Sequence, residues 1–250
     1  MNPVLRWFHQ MGSPPRFHRF AGRWSRWLLW ASLPFMIWGV WSGLFEVPAD
    51  YQQGDSYRIL FVHVPSAWMS LFIYGLMAVY AFIALVWRIK LCEQLAMACA
   101  PVGAGFTAIT LITGSLWGKP MWGTWWTWDP RLTSELVLLF LYLGVIGLNA
   151  AIEDRRAAAR AASFLALIGV VNVPIVHFSV EWWNTLHQGA TIKLAGESSI
   201  DASMVLPLVL MAVGTKLWFV GSLLQRTQSA MLELESGKDW VKQVAQEQRP

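Results

Sequence analysis

The sequence has few charged residues and almost no cysteine. Asp, Glu, Lys and Arg make up only 14% of its 250 residues, whereas an average soluble domain has about 25%, so too few charges are present to cover a globule of this size. Cys92 and Cys99 form no C-x-x-C pair, which excludes a disulfide scaffold and gives a redox dithiol no support. The net charge of +4 is small, and the basic residues flank apolar runs, which argues against a nucleic-acid binder.

Apolar residues are abundant and lie in long runs. Hydrophobic residues make up 56% of the chain, and 17 residues are tryptophan, which settles at membrane–water interfaces. Six runs are long enough to cross a hydrocarbon core at about 20 residues each, and none alternates in polarity as a membrane-spanning strand does. The predicted spans are residues 24–45, 64–87, 95–116, 134–152, 161–180 and 202–224. The sequence therefore predicts an all-α integral membrane protein with six transmembrane helices.

The basic residues predict the side of the membrane on which each terminus lies. Fourteen of the 19 Lys and Arg residues lie in the N-terminal segment, the second and fourth connections and the C-terminal tail, and four lie in the other connections. Because cytoplasmic loops carry the excess of Lys and Arg, both termini are expected in the cytoplasm. The expected organisation is a single membrane domain over 1–250, with a cytoplasmic N-terminus (1–23), a six-helix bundle (24–224), outer loops at 46–63, 117–133 and 181–201, and a cytoplasmic tail (225–250) that is either a short surface helix or disordered.

The second outer loop has an unusual density of tryptophan. Residues 117–128 read W-G-K-P-M-W-G-T-W-W-T-W, which includes Trp117, Trp122, Trp125, Trp126 and Trp128. One interpretation is a belt of rings at the membrane–water interface, although a belt needs only one or two rings per helix end. The other interpretation is a platform for a large planar ligand, since dense indole rings form a flat apolar surface with N–H donors at its rim. Composition alone leaves both interpretations open.

Charged residues flank the end of this loop. Asp129 precedes Pro130, and this pair is typical of a helix N-cap followed by the first helical position. A helix is therefore predicted to begin directly after the tryptophans. Lys119 and Arg131 are the only cations in the loop; they contact either solvent and lipid headgroups or the carboxylates of a ligand.

Two histidines are expected on the outer side, one before and one after the tryptophan loop. His63 lies two residues before Pro65, where a helix is expected to begin, so His63 is predicted just above the membrane. His187 lies in the third outer loop. Two imidazoles and a flat apolar ligand are the components of a bis-His haem site, whereas zinc would need the cysteines or closely spaced histidines that these loops lack. His177 is expected inside the fifth span, where a hydrogen bond between helices suits it better than ligation.

Three segments resemble those of a known family. Residues 122–129 (W-G-T-W-W-T-W-D) resemble the tryptophan-rich WWD signature of haem-handling membrane proteins. Residues 63–68 (H-V-P-S-A-W) and 182–187 (W-W-N-T-L-H) resemble the flanking histidine segments of one branch, the CcmC family of cytochrome c maturation. The likeness covers nearly the whole chain in size, number of spans and motif order.

The resemblance implies a specific haem site. In the family, two outer histidines, here His63 and His187, are the axial ligands of a non-covalent haem b at the outer, periplasmic face of the bacterial inner (plasma) membrane. The tryptophan-rich loop contacts the porphyrin. The loop residues expected at the haem are Trp117, Trp122, Gly123, Trp125, Trp126, Trp128, Asp129 and Arg131.

The resemblance also implies partners. The family passes haem to the periplasmic haem chaperone CcmE and works with the ABC ATPase CcmA, the membrane subunit CcmB and the small CcmD. This chain has no G-x-x-x-x-G-K-[ST] motif, so ATP hydrolysis is expected on a partner. The expected role is a haem-binding delivery subunit, not an enzyme.

Two other functions remain compatible with the sequence. A membrane b-type cytochrome would place pairs of ligand histidines within helices, and only His177 lies clearly within a span. A permease for a non-haem solute would use intramembrane polar residues and proline breaks. The residues that favour a permease are Lys216, Glu135, Asn172, Pro174 and Pro207.

Overall fold

Helices account for nearly all of the chain that the structure describes. The computed structural model describes residues 13–187 and 200–247. It contains α1 (Pro14–Phe45), α2 (Leu60–Trp87), α3 (Lys90–Trp122), α4 (Pro130–Ala151), α5 (Arg155–Gly169), α6 (Asn172–Trp182), α7 (Ala202–Leu234) and α8 (Asp239–Glu247), with a short 3-10 helix (Asp55–Ile59) before α2. Residues 1–12, the 188–199 part of the predicted third outer loop and residues 248–250 lie outside the described residues.

Six helical segments are long and apolar enough to cross a membrane. They are α1, the 3-10 helix with α2, α3, α4, α5 with α6, and α7. Each coincides with one predicted span along nearly the whole length of that span. The prediction of six transmembrane helices in an all-α protein is therefore confirmed at the level of length and composition, while the side on which the termini lie stays a prediction.

All six helical segments extend beyond their predicted spans. α1 begins at Pro14, ten residues before the predicted start at residue 24, so the end of the predicted N-terminal segment is helical. α2 begins at Leu60, so the prediction of a start near Pro65 is wrong, and His63 lies in the first turn of the helix. α3 continues to Trp122, which shortens the predicted second outer loop to a connection of residues 123–129. α7 continues to Leu234 and α8 follows, so most of the predicted tail is helical.

Contacts with the end of α1 explain the early start of α2. A proline disfavours the helical conformation in the residue before it. Here, however, residues before Pro65 are held in place by hydrogen bonds to the end of α1 and the segment that follows it. The Arg58 guanidinium donates hydrogen bonds to the carbonyls of Gly43 (3.1 Å) and Val47 (2.8 Å), and the Tyr57 hydroxyl donates to the Pro48 carbonyl (2.6 Å). These bonds fix the 3-10 turn that leads into α2.

Glycines allow α1 and α7 to pack closely as an antiparallel pair. A Cβ on Gly39 would lie 2.8 Å from the Met211 side chain, and a Cβ on Gly214 would lie 2.6 Å from that of Met36. Small residues at such contacts are the usual means by which membrane helices approach one another. The start of α1 therefore lies beside the end of α7, far from the 3-10 helix.

The fifth span is broken into two helices. α5 ends at Gly169 and α6 begins at Asn172, and the Asn172 amide donates to the Ser134 carbonyl of α4 (2.9 Å). Pro174 lies in the first turn of α6, where a backbone N–H would have no intrahelical acceptor. Because proline has no N–H, the new helix starts there without losing a hydrogen bond. The break sets the direction of α6. This helix places His177 and Glu181 near the start of α2 and the end of α3.

Candidate functional site

A cavity of about 290 Å³ lies among α2, α3, α4 and α6 and the segment that follows α6. Five of the residues predicted from the sequence line it: His63, Trp117, Trp122, Arg131 and His187. The two predicted iron ligands thus come together from segments more than 120 positions apart in the sequence. Gly123, Trp125, Trp126, Trp128 and Asp129 are not among the residues that line the cavity.

His63 is held in one tautomer by α3. Its Nδ1 lies 2.9 Å from the Thr113 hydroxyl oxygen, and that hydroxyl already donates its single hydrogen to the Ile109 carbonyl (2.6 Å). The hydroxyl therefore accepts from His63 Nδ1–H, which leaves the lone pair of the ring on Nε2. Gly114 makes room for the ring, because a Cβ there would lie 3.2 Å from His63 Cε1.

His187 is held in the same tautomer by Asp129. Its Nδ1 lies 2.9 Å from Asp129 Oδ2, while the Thr185 hydroxyl donates to the same oxygen. Asp129 Oδ1 accepts from the Leu132 backbone N–H (2.8 Å), which confirms the predicted N-cap of α4. One carboxylate therefore both starts α4 and orients the His187 imidazole.

Asp129 is ionised over the whole physiological range. Burial by itself would raise the pKa of this carboxyl, but hydrogen bonds from His187, Thr185 and the Leu132 N–H outweigh burial and lower the pKa to about 2. An ionised carboxylate accepts hydrogen bonds and donates none. His187 consequently carries a proton on Nδ1, and its Nε2 lone pair is available whenever the ring is neutral.

Two tryptophans of the predicted loop belong to α3 and form walls of the cavity. The Trp117 ring lies 5.7 Å from the His63 ring, edge to face, and its Nε1–H donates to Gln53 Oε1 (2.9 Å). The Trp122 ring lies 4.9 Å from the His187 ring, also edge to face. Each predicted ligand therefore has one indole against it.

The other three tryptophans lie in the connection from α3 to α4, outside the cavity. Trp125 and Trp128 are 55% and 77% exposed, and the rings of Trp126 and Trp128 lie 5.5 Å apart. Gly123 adopts a φ of +77° at the end of α3, a left-handed conformation that suits glycine. The predicted platform of five rings is thus divided into two rings in the cavity and three on the connection.

The two cations of this region have different surroundings. Lys119 donates to the Gly123 carbonyl (3.1 Å), which satisfies an orphan acceptor at the end of α3, and its ammonium lies 5.7 Å over the Trp125 ring. Arg131 lines the cavity from the first turn of α4. Arg131 is therefore the cation placed to meet an anionic group in the cavity.

Sequence reasoning assigned no role at the site to two further residues that line the cavity. His177 and Glu181 line the cavity one helical turn apart on α6, and the expected helix–helix hydrogen bond of His177 is not found among the described residues; the i, i+4 spacing was the available signal. Glu135 lies one turn beyond Arg131 and is buried, and its Oε1 has no hydrogen-bond partner within the described chain. Lys216 is exposed on α7, 5.8 Å over the Phe72 ring, away from the cavity.

The whole chain is similar to one family of known proteins. Residues 7–242 match the model of the family "CcmC: Heme exporter protein C". "Heme exporter protein C" of Escherichia coli (strain K12) is 52% identical over 236 residues, covering 94% of this chain and 95% of that protein. The protein of the same name from Haemophilus influenzae is 46% identical over 243 residues, covering 97% and 99%.

A mitochondrial relative is also similar. The "Putative cytochrome c biosynthesis ccmC-like mitochondrial protein" of Marchantia polymorpha is 47% identical over 171 residues, which cover 68% of this chain and 72% of that protein.

Proposed function

The chain belongs to the CcmC family, Heme exporter protein C, and from that premise we propose that it binds haem non-covalently and delivers it for cytochrome c maturation. His63 and His187 are the axial ligands of the haem iron. The observation that carries this assignment is that both imidazoles line one cavity with Nδ1 engaged by an acceptor. The second nitrogen of each ring is therefore left for iron, the usual arrangement of a metal-binding histidine.

The remaining walls suit the rest of a porphyrin. Trp117 and Trp122 offer apolar ring surface next to the two ligands. Arg131 is the partner of a propionate, since a guanidinium pairs with a carboxylate through two parallel hydrogen bonds. Trp125, Trp126 and Trp128, with Gly123 at the turn, contact the exposed edge of the haem and the protein that receives it.

Reversible ligation suits delivery. Cys99 is buried and Cys92 is partly buried in α3, at the end of that helix remote from the cavity, so thioether attachment to the haem has no cysteine at hand. The haem site faces the periplasm from the inner membrane, and both termini are cytoplasmic. The receiving protein is the haem chaperone CcmE, and CcmA supplies ATP hydrolysis in a complex with CcmB and CcmD.

Optical spectra of purified histidine variants test the ligand assignment. Haem held by two imidazoles is six-coordinate and low-spin, so His63→Ala and His187→Ala should each change the spin state, and added imidazole should partly restore it. His177→Ala should keep the low-spin spectrum. His18→Ala should keep it as well, because His18 lies at the start of α1, at the end of the bundle opposite to the candidate haem site. If His177→Ala loses the low-spin signal while His187→Ala keeps it, the second ligand is assigned wrongly. Absence of haem binding in the folded wild-type protein would overturn the proposed function itself.

A further inference from the structure

A second, larger cavity lies at the opposite end of the bundle. It has a volume of about 730 Å³ and lies between the start of α1, the end of α7 and α8. α1 has 32 residues, which corresponds to roughly 48 Å of helix, so this cavity is separated from the candidate haem site by the depth of the membrane. A ligand in this cavity would therefore not contact the candidate haem site.

The walls of this second cavity are rich in hydrogen-bond donors. Arg19 and Arg26 line it from α1, two turns apart on one face, and Gln225 and Gln243 line it from α7 and α8. None of the described residues that line it is Asp or Glu. Guanidinium groups and amides without a compensating carboxylate favour an anion, and a phosphate most of all.

A fixed pair of residues forms the floor of this cavity. The Gln228 side-chain amide donates to the His18 carbonyl (3.0 Å) and to His18 Nδ1 (3.1 Å), so the neutral ring carries its hydrogen on Nε2 and is a further donor. Gly22 permits this contact, because a Cβ there would lie 3.0 Å from Gln228 Nε2. Both hydrogens of the Gln228 amide are thereby used, so the donor that this pair offers to a ligand is His18 Nε2–H, held in place before any ligand arrives.

The surface beside the cavity is apolar. Phe20, Trp24 and Trp27 are 48%, 47% and 69% exposed on α1, next to the two arginines that line the cavity. Trp240 closes the cavity from α8, where its Nε1–H donates to Glu235 (2.8 Å). A ligand with an anionic head and apolar chains would meet donors in the cavity and aromatic rings along the helix, which is the pattern of a lipid at a membrane–water interface.

We propose that this second cavity binds the phosphate headgroup of an anionic phospholipid through Arg19 and Arg26, with the acyl chains along the aromatic face of α1. The site joins the start of α1 to α7 and α8. The shared chemistry of any occupant is a phosphate group, and the arms of the experiment separate a lipid from free phosphate.

The test measures binding of phosphatidylglycerol and phosphatidylcholine to the purified full chain by native mass spectrometry. Wild type should retain phosphatidylglycerol in preference to phosphatidylcholine. Each arginine near an anionic lipid contributes about a fivefold factor in binding, so Arg19→Gln with Arg26→Gln should weaken retention roughly 25-fold. The matched control is Arg16→Gln with Arg23→Gln, two exposed arginines of the same helix that do not line the cavity; it should retain the lipid.

A second pair of variants adds charge at the cavity without removing an arginine. Gln243→Glu should repel the headgroup, whereas Gln246→Glu, exposed on α8 outside the cavity, should not. Equal loss of lipid from the arginine pair and its control, or full retention by both Arg19→Gln with Arg26→Gln and Gln243→Glu, would overturn the site. Displacement of the lipid by millimolar inorganic phosphate would overturn the lipid assignment in favour of a soluble phosphate. Helical circular dichroism and size-exclusion profiles show that each variant is folded.

Discussion

At the residue scale, the choice between the two nitrogens of an imidazole decides whether a histidine can bind iron. Different kinds of acceptor fix the tautomers of His63 and His187. A hydroxyl whose hydrogen is already used faces His63, and an ionised carboxylate faces His187. The carboxylate is the stronger acceptor because it is charged, so the two ligands are expected to differ in how firmly they hold the metal.

Asp129→Asn is expected to weaken the His187 ligand without removing it. In the wild type both carboxylate oxygens accept, one from the Leu132 N–H and the other from His187 and Thr185. An amide has only one oxygen, so the variant loses either the helix cap or the acceptor for His187. If the amide nitrogen faces His187, it favours the tautomer with hydrogen on Nε2, which competes with iron. Loss of such an orienting partner typically costs 10–100-fold in metal affinity, measurable as a faster loss of haem from the purified protein.

The matched control for this variant is Asp201→Asn. Asp201 is the N-cap of α7 and accepts from the Ser203 N–H (2.9 Å), so both substitutions remove the negative charge of a helix N-cap, while only one lies beside a predicted ligand. Equal rates of haem loss in the two variants would show that Asp129 acts only as a cap. In a His187→Ala background, Asp129→Asn should have no further effect on ligation.

The hydrogen bonds to Asp129 should persist to a lower pH than those to an ordinary aspartate. The pKa of Asp129 is lowered to about 2 from an ordinary value of 3.8. A carboxyl whose folded-state pKa is depressed stabilises the fold above the unfolded value and loses that contribution as pH falls through the folded value. The contribution is about 2 kcal/mol, so it should be complete above about pH 5 and lost progressively between about pH 5 and pH 1. Hydrogen exchange of residues 128–133, corrected for the intrinsic pH dependence, should show this loss; an identical profile in Asp129→Asn would contradict it.

At the scale of elements, the connection from α3 to α4 presents an apolar surface that the cavity does not enclose. Trp125 and Trp128 are exposed there, and the buried Trp126 Nε1 has no hydrogen-bond partner within the described chain. An indole N–H usually finds a partner when it is buried. This connection therefore has exposed ring surface for a ligand that extends beyond the cavity, and beneath it a donor that the described chain leaves unpaired.

Replacing Trp125, Trp126 and Trp128 together by alanine should weaken haem retention while the low-spin spectrum stays detectable. The substitutions remove stacking surface but neither predicted iron ligand. Stacking of a base on an aromatic side chain contributes about 1–3 kcal/mol, and on that scale even one engaged ring corresponds to at least about a fivefold change in affinity. Haem content after dilution and transfer to a purified acceptor protein are the measurements.

A triple variant on α1 provides the comparison for the tryptophan connection. Trp27, Trp30 and Trp38 are also exposed, and they lie away from both predicted ligands. Trp27→Ala, Trp30→Ala and Trp38→Ala together should leave haem retention unchanged. If the two triple variants behave alike, the rings of the connection serve as an interfacial belt, which was the other interpretation open from the sequence.

The sequence predicts those elements whose signals are local. Six spans follow from the length of the apolar runs, and the start of α4 follows from Asp129 and Pro130, because a cap and its helix are adjacent in the chain. The start of α2 was predicted wrongly because the bonds from Arg58 to Gly43 and Val47 override the local effect of a proline. The position of His177 at the cavity depends on the break before α6, which rests on a contact between Asn172 and Ser134. Such contacts between distant residues leave no periodic pattern in the sequence.

At the scale of the whole molecule, the two ends of the bundle differ in charge. The described start of α1 carries Arg16, Arg19, Arg23 and Arg26, and the connection between α4 and α5 together with the first turn of α5 carries Arg155 and Arg156. At the other end, Arg58 is bonded to backbone carbonyls and Lys119 caps α3. Arg58 and Lys119 are thus used within the fold and Arg131 lines the cavity, while the arginines named at the first end are exposed, as the positive-inside rule expects of a cytoplasmic face.

Single cysteines should report this orientation directly. With Cys92 and Cys99 replaced by alanine, Gln52→Cys lies in the exposed connection between α1 and the 3-10 helix, and Glu153→Cys and Ser236→Cys lie exposed at the opposite end. An impermeant maleimide should label Gln52→Cys in intact spheroplasts, because the end of the bundle with the candidate haem site is expected to face the periplasm. Glu153→Cys and Ser236→Cys should react only after the membrane is permeabilised. The reverse pattern would place His63 and His187 on the cytoplasmic side, and haem bound there could not be handed to a periplasmic chaperone without first crossing the membrane.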